Sequence, residues 1–143
     1  MSEPICIADY DDLIREVLDS GGQFRLYPRG TSMLPLLRQG KDSVSLAKLD
    51  RPPRKYDILF YQRADGSYVL HRVKAVTSQG LILWGDNHCF LEYGVQNHQI
   101  IGYAARIFRE ETEISCRSLP YQIYLWLWQF TAVRKVLLFL LHH

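Results

Sequence analysis

Gly30-Thr31-Ser32-Met33-Leu34-Pro35 is the stretch on which the reading of this 143-residue chain turns, together with Leu70-His71-Arg72-Val73 further on. A serine hydroxyl is a poor nucleophile at neutral pH and needs a proton acceptor beside it. An imidazole, with a pKa of about 6.5, serves without special burial, whereas a lysine must first be desolvated. Pro35 fixes φ and keeps a regular helix from absorbing the serine. Gly30 lets the backbone approach closely on the other side. A serine–histidine pair alone recurs by chance in most proteins, so the residues around it decide its meaning.

Those residues run in a fixed order: Pro28 to Leu37, Gly40-Lys41-Asp42-Ser43-Val44, Tyr56 to Tyr61, His71-Arg72-Val73, Gly85-Asp86-Asn87 and Ile100-Ile101-Gly102. The set resembles the signal peptidase I family, whose fold is shared with the LexA-type self-cleaving repressors, over roughly Phe24 to Phe108. The resemblance implies that Ser32 is the nucleophile and that its own amide helps form the oxyanion hole. Thr31, Met33 and Pro35 then flank the oxyanion and substrate side. His71 stands where most bacterial members carry lysine, as in the endoplasmic-reticulum and archaeal branch, and takes the part of general base. In that branch an acidic residue seven positions beyond the glycine of Gly-Asp-Asn orients the histidine. Counting from Gly85 gives Glu92, one methylene longer than the usual aspartate. Asp86 is the alternative, either fixing His71 or pairing with Arg72.

The implied reaction is acyl transfer. Ser32 attacks a peptide carbonyl, His71 takes the proton and returns it to the leaving amine, and the third residue holds the imidazole tautomer. Two departures from the family pattern are plain. Lys41 separates Gly40 from Asp42, where the family reads Gly-Asp directly, and the acidic pair of the histidine branch is here Leu91-Glu92.

Apolar spacing at Leu13, Ile14, Val17 and Leu18 predicts a short amphipathic helix over Tyr10 to Leu18, ended by Ser20-Gly21-Gly22. Strands are expected at Gln23 to Tyr27, Ser43 to Leu46, Asp57 to Tyr61, Tyr68 to Val76, Leu81 to Trp84 and Ile100 to Phe108. Ala64-Asp65-Gly66 makes the turn of a hairpin. Period-two alternation puts His71, Val73 and Ala75 on one face and Lys74 on the other, so Lys74 is a poor substitute base. The fold class is mainly β, a LexA/signal-peptidase-like domain over residues 23–110. A helical segment, residues 1–22, precedes it, and an apolar helical tail, residues 118–143, follows.

In that tail Arg134 and Lys135 interrupt the apolar run, and a continuous helix would have no single wet face. Two short helices hinged near Phe130 to Ala132 are therefore expected. The tail packs on the domain, in a homodimer, on a membrane-protein partner or on a membrane surface. Tryptophans, tyrosines and the absence of acidic residues from Ser115 onward suit the last of these. Met1 to Gly22 is too rich in acidic residues for a spanning anchor or signal peptide, a third departure from the family, whose members begin with a membrane-spanning helix. The expected setting is cytoplasmic, peripheral at the inner face of a membrane.

A formal net charge of +2 demands no nucleic-acid partner, and one helix ahead of Gly30 leaves no room for a DNA reader. Cys6, Cys89 and Cys116 form no spaced framework, as in a reducing compartment. A zinc site drawn through His71, His88, Cys89 and His98 lacks ligand spacing, so neither metal nor cofactor is expected. Arg51, Arg54 and Lys55 read as a solvated basic loop. The expected function is a serine endopeptidase acting on a peptide or precursor segment, for example a leader. The alternative is an inactive module of the same fold that binds such a peptide and hands it to a membrane or export partner.

Overall fold

The structure, a computed structural model, describes residues 7–88 and 90–142. Cys6 and Cys89 lie outside the described residues, and Cys116 is an exposed free thiol. After a 3-10 turn at Ile7–Tyr10, α1 spans Asp11–Asp19. Ile14 and Leu18, four apart, face the core while Leu13 points to solvent. Gly21, at φ +87°, ends the helix, and the Gly22 amide caps the Val17 carbonyl at 2.9 Å.

The strands are β1 (Phe24–Leu26), β2 (Ser43–Ala47), β3 (Ile58–Gln62), β4 (Tyr68–Thr77), β5 (Gly80–Trp84), β6 (Glu92–Val95), β7 (Ile100–Arg109) and β8 (Thr112–Ile114). They form one antiparallel sheet in the order β1-β2-β7-β3-β4-β5-β6, with β8 also paired to β7. The fold is thus mainly β. Register shifts interrupt the β2–β7, β3–β7, β4–β5 and β5–β6 ladders, and each such bulge bends the sheet.

Both faces of the central strands are buried. On β3, Ile58 and Phe60 enter one apolar cluster and Leu59 and Tyr61 the other. The first cluster lies beneath α1 and the serine loop, and includes Met33, Leu36 and Leu37. The second gathers Leu59, Tyr61, Val69, Val73, Leu81, Leu83 and Val95. Burying each such side chain contributes roughly 1.5–3 kcal/mol.

Two helices end the chain, α2 (Leu119–Trp128) and α3 (Thr131–His142), bent by 110° between them. The break falls beside Phe130, where the residue pattern places a hinge. Pro120 sits in the first turn of α2, where its missing N–H costs nothing. Tyr121, Leu125 and Trp128 form the inner face of α2, and Arg134 and Leu138 the inner side of α3. Leu119, Ile123, Trp126, Phe130, Val136, Phe139, Leu140 and Leu141 remain exposed. Among the described residues no single helix is long and apolar enough to cross a membrane.

Two strands, β6 and β8, extend the sheet beyond the six expected, while the tail is the pair of short helices expected. The basic loop also differs. Arg51 forks onto the Asp57 carboxylate at 2.9 and 3.0 Å and is half-buried, whereas Arg54 and Lys55 are exposed, with Lys55 donating to Gln129 Oε1 at 3.2 Å.

Candidate active site

Ser32 lies in the loop between β1 and β2, half-buried. Apolar side chains on its C-terminal side hold this loop, because Met33, Leu36 and Leu37 all enter the first core. Arg109 of β7 clasps it from below, donating to the carbonyls of Pro35 at 2.8 Å and Leu36 at 3.1 Å. Gly30 has φ +80°, which a side chain would resist, and its amide donates to Gln39 Oε1 at 2.7 Å. Thr31 is exposed and Pro35 half-buried. Lys41 occupies the turn before β2 and is exposed, while buried Asp42 accepts bonds from Arg38 and from the Glu110 amide.

His71 sits in mid-β4, opposite Leu59 of β3, and is only 4% exposed. Its neighbour across the site is the tight turn after β5, Gly85-Asp86-Asn87-His88. The Asn87 amide donates to the Ser32 carbonyl at 2.9 Å, which ties this turn to the serine loop. Gly85 marks the convergence. A β-carbon there would stand 2.5 Å from the Ser32 carbonyl oxygen, 2.9 Å from His88 Nδ1 and 3.2 Å from His71 Nε2. Residues far apart in sequence thus meet around one point, and the imidazole nitrogen turned toward the serine loop is Nε2. The Ser32 hydroxyl itself is not hydrogen-bonded to His71 among the described residues. Catalytic bonds of this type often tighten only when substrate is bound.

The candidate acids part company. Asp86, fully buried, takes a forked bond from Arg72 at 2.8 and 2.9 Å, with Tyr124 adding its hydroxyl at 2.5 Å. Its carboxylate is therefore committed to Arg72, not to His71. Glu92, at the start of β6, binds Arg63 Nε at 2.6 Å through one oxygen and the Tyr61 hydroxyl through the other. That hydroxyl lies 3.5 Å from His71 Nδ1. Glu92 thus reaches the imidazole through a tyrosine. Lys74 lies over the Trp84 ring at 4.1 Å, away from the histidine.

Burial is the main cause that lowers the His71 pKa to about 4, and the neighbouring His88 adds to it. The imidazole is therefore neutral at pH 7, the form a base requires. Burial likewise pushes the His88 pKa down and the Tyr61 pKa up, the latter helped by its bond to Glu92.

Tail residues complete the site from behind. Arg134, fully buried, donates to the carbonyls of Gly85 at 2.7 Å, Asp86 at 3.0 Å and His88, and its guanidinium lies 3.4 Å from the centre of the Trp84 ring. Trp128 Nε1 donates to the Asp86 carbonyl at 2.7 Å. An apolar cleft of about 370 Å³ opens between the serine loop and α2, lined by Pro35, Leu36, Ile114, Tyr121 and Tyr124. A roomier hollow of about 580 Å³, lined by residues such as Arg15, Lys48 and Pro52, shares no lining residue with the site.

Residue patterns alone do not expose Tyr61, Arg63, His88, Tyr124, Trp128 or Arg134 as parts of this site. Tyr61 reads as an apolar strand residue and Arg134 as an interruption of the tail. The grouping of His71, His88 and His98 with Cys89 falls partly outside the described residues. Among those described, no cluster of three or more metal-ligating side chains occurs. Comparison with family models, with curated proteins and with solved structures finds no match.

Proposed function

We propose that the protein is a serine endopeptidase of the signal-peptidase-like type, with Ser32 as nucleophile and His71 as general base. One observation carries the reading: the Ser32 carbonyl and His71 Nε2 both lie within 3.2 Å of a single point at Gly85. Two motifs that resemble the same family, far apart in sequence, are thereby neighbours in space.

The chemistry follows from the residues present. Substrate enters as an extended peptide along the cleft of Pro35, Leu36 and Tyr121, and a peptide carbonyl is presented to Ser32. His71 Nε2 accepts the hydroxyl proton as the bond to the carbonyl carbon forms, and returns it to the amine as that leaves. Water then repeats the exchange and frees the acyl group. The substrate is a peptide or precursor segment. A peripheral seat on an anionic membrane surface belongs to this reading, and the exposed apolar residues of α2 and α3 in a tail without acidic residues support it.

The direct trial is incubation with a mixture of precursor-derived peptides, followed by mass-spectrometric mapping of new termini. Cleavage by the wild type and none by Ser32→Ala is expected. If folded wild type binds peptides without cutting any, the module is instead a peptide carrier, a role that the absent Ser32–His71 hydrogen bond would then explain.

A further inference from the structure

We propose that Tyr61 is the positioning residue that fixes the tautomer of His71, relaying the pull of Glu92 through its hydroxyl. This rests on the peptidase reading above and deepens it.

A phenolic hydroxyl has one proton to give and lone pairs to receive with. The Tyr61 proton goes to Glu92, since the carboxylate can only accept and stands much nearer than the imidazole. What Tyr61 then offers His71 is an acceptor. Only the tautomer carrying its proton on Nδ1 can use it, at 3.5 Å. The lone pair is thereby left on Nε2, the nitrogen beside Gly85 and the serine loop. That is the tautomer a base acting on Ser32 requires.

The other parts of the relay are held in place. Tyr61 is completely buried in the second apolar cluster, so rotation about its C–O bond is the one freedom left to its hydroxyl. Arg63 grips the remaining Glu92 oxygen at 2.6 Å, which fixes which oxygen meets the tyrosine. Glu92 pairs with Leu83 across β5 and β6, so the strand register sets its place. The groups that face His71 are Tyr61 from β3, Glu92 from β6, Arg63 beyond β3, and His88 and Asp86 from the β5–β6 turn. Asp86 is occupied by Arg72, and His88 Nδ1 stands on the Gly85 side of the ring, so Tyr61 is what meets Nδ1.

The experiment reads the tautomer directly. Long-range ¹H–¹⁵N spectra of histidine-labelled protein at pH 7 distinguish a protonated Nδ1 from a protonated Nε2 without any substrate. Wild type is expected to hold His71 with its proton on Nδ1. Tyr61→Phe removes only the hydroxyl and should leave a mixture of tautomers. Glu92→Gln is the sharper variant. Arg63 keeps the amide oxygen, so the amide N–H₂ faces Tyr61 and donates to it. The phenolic proton must then turn to Nδ1, and His71 should flip to protonated Nε2. Labelling of Ser32 by a fluorophosphonate should slow severalfold in Tyr61→Phe, in step with the fraction of lost tautomer, and by a hundredfold or more in Glu92→Gln, the usual worth of a general base. A wild-type His71 protonated on Nε2 would overturn the relay, as would a tautomer unmoved by both substitutions in folded protein. The two readings fail separately. Labelling of wild-type Ser32 with an unmoved tautomer sinks the relay alone. A tautomer that moves as described in a protein that never labels sustains the relay and sinks the peptidase.

Discussion

Gly85 is where a single absent methyl group keeps the serine loop and the histidine together. In Gly85→Ala the added carbon would meet backbone at Ser32 and the ring nitrogens of His71 and His88, none of which is a flexible end. Fluorophosphonate labelling of this variant should fall at least tenfold while its circular dichroism stays that of the wild type. The residues that motifs name are those whose chemistry depends on their type: Ser32, His71, Asp86 and Glu92. The structure brings the Ser32 carbonyl and His71 Nε2 to one point, whereas spacing in the sequence left open which acid stands nearer His71. That answer depends on an Arg72 side chain claiming Asp86 and a tyrosine intervening before Glu92. Neither is visible in spacing, because Tyr61 satisfies the apolar alternation of β3 and reads as core.

Among the elements, the tail acts as a brace for the site. The chain breaks helix beside Phe130, and α3 thereby returns Arg134 beneath the Gly85–His88 turn. Arg134→Met should remove the guanidinium's bonds to the Gly85, Asp86 and His88 carbonyls, at a cost of about 1–3 kcal/mol. Urea unfolding should show this loss, and amide exchange at Asn87 should quicken, since its bond to Ser32 depends on the turn. An unchanged Asn87 exchange rate would mean that α3 does not hold the turn. Long periodic elements such as β4, β7 and α1 were legible from the sequence, and so was the hinge in the tail. The short β6 was not, because Glu92-Tyr93-Gly94-Val95 alternates weakly and carries a glycine at φ +75°. The three residues of β8 exist as a strand through their ladder to β7, a tertiary effect beyond local pattern.

For the molecule as a whole, burying a neutral histidine links stability to pH. The folded pKa of His71, about 4, lies below its unfolded value, so its contribution is complete above pH ~6.5. As pH falls from there toward 4 the unfolded chain takes a proton that the folded one refuses. Stability then drops by up to about 3 kcal/mol, with His88 acting in the same direction. Urea midpoints measured from pH 7 to 4 should decline, and less steeply in His71→Phe. The exposed apolar face of α2 and α3 leads to a further expectation: flotation with phosphatidylglycerol vesicles, reduced by Trp126→Ser with Phe139→Ser. Above all stands the claim that Ser32 is activated by His71. Intact-mass analysis after exposure to a fluorophosphonate, with wild type beside Ser32→Ala and His71→Ala, tests it most directly. One adduct on wild type, absent from both folded variants, is the expected result. Folded wild type without an adduct on vesicles or off them, or an adduct that survives Ser32→Ala, would contradict it.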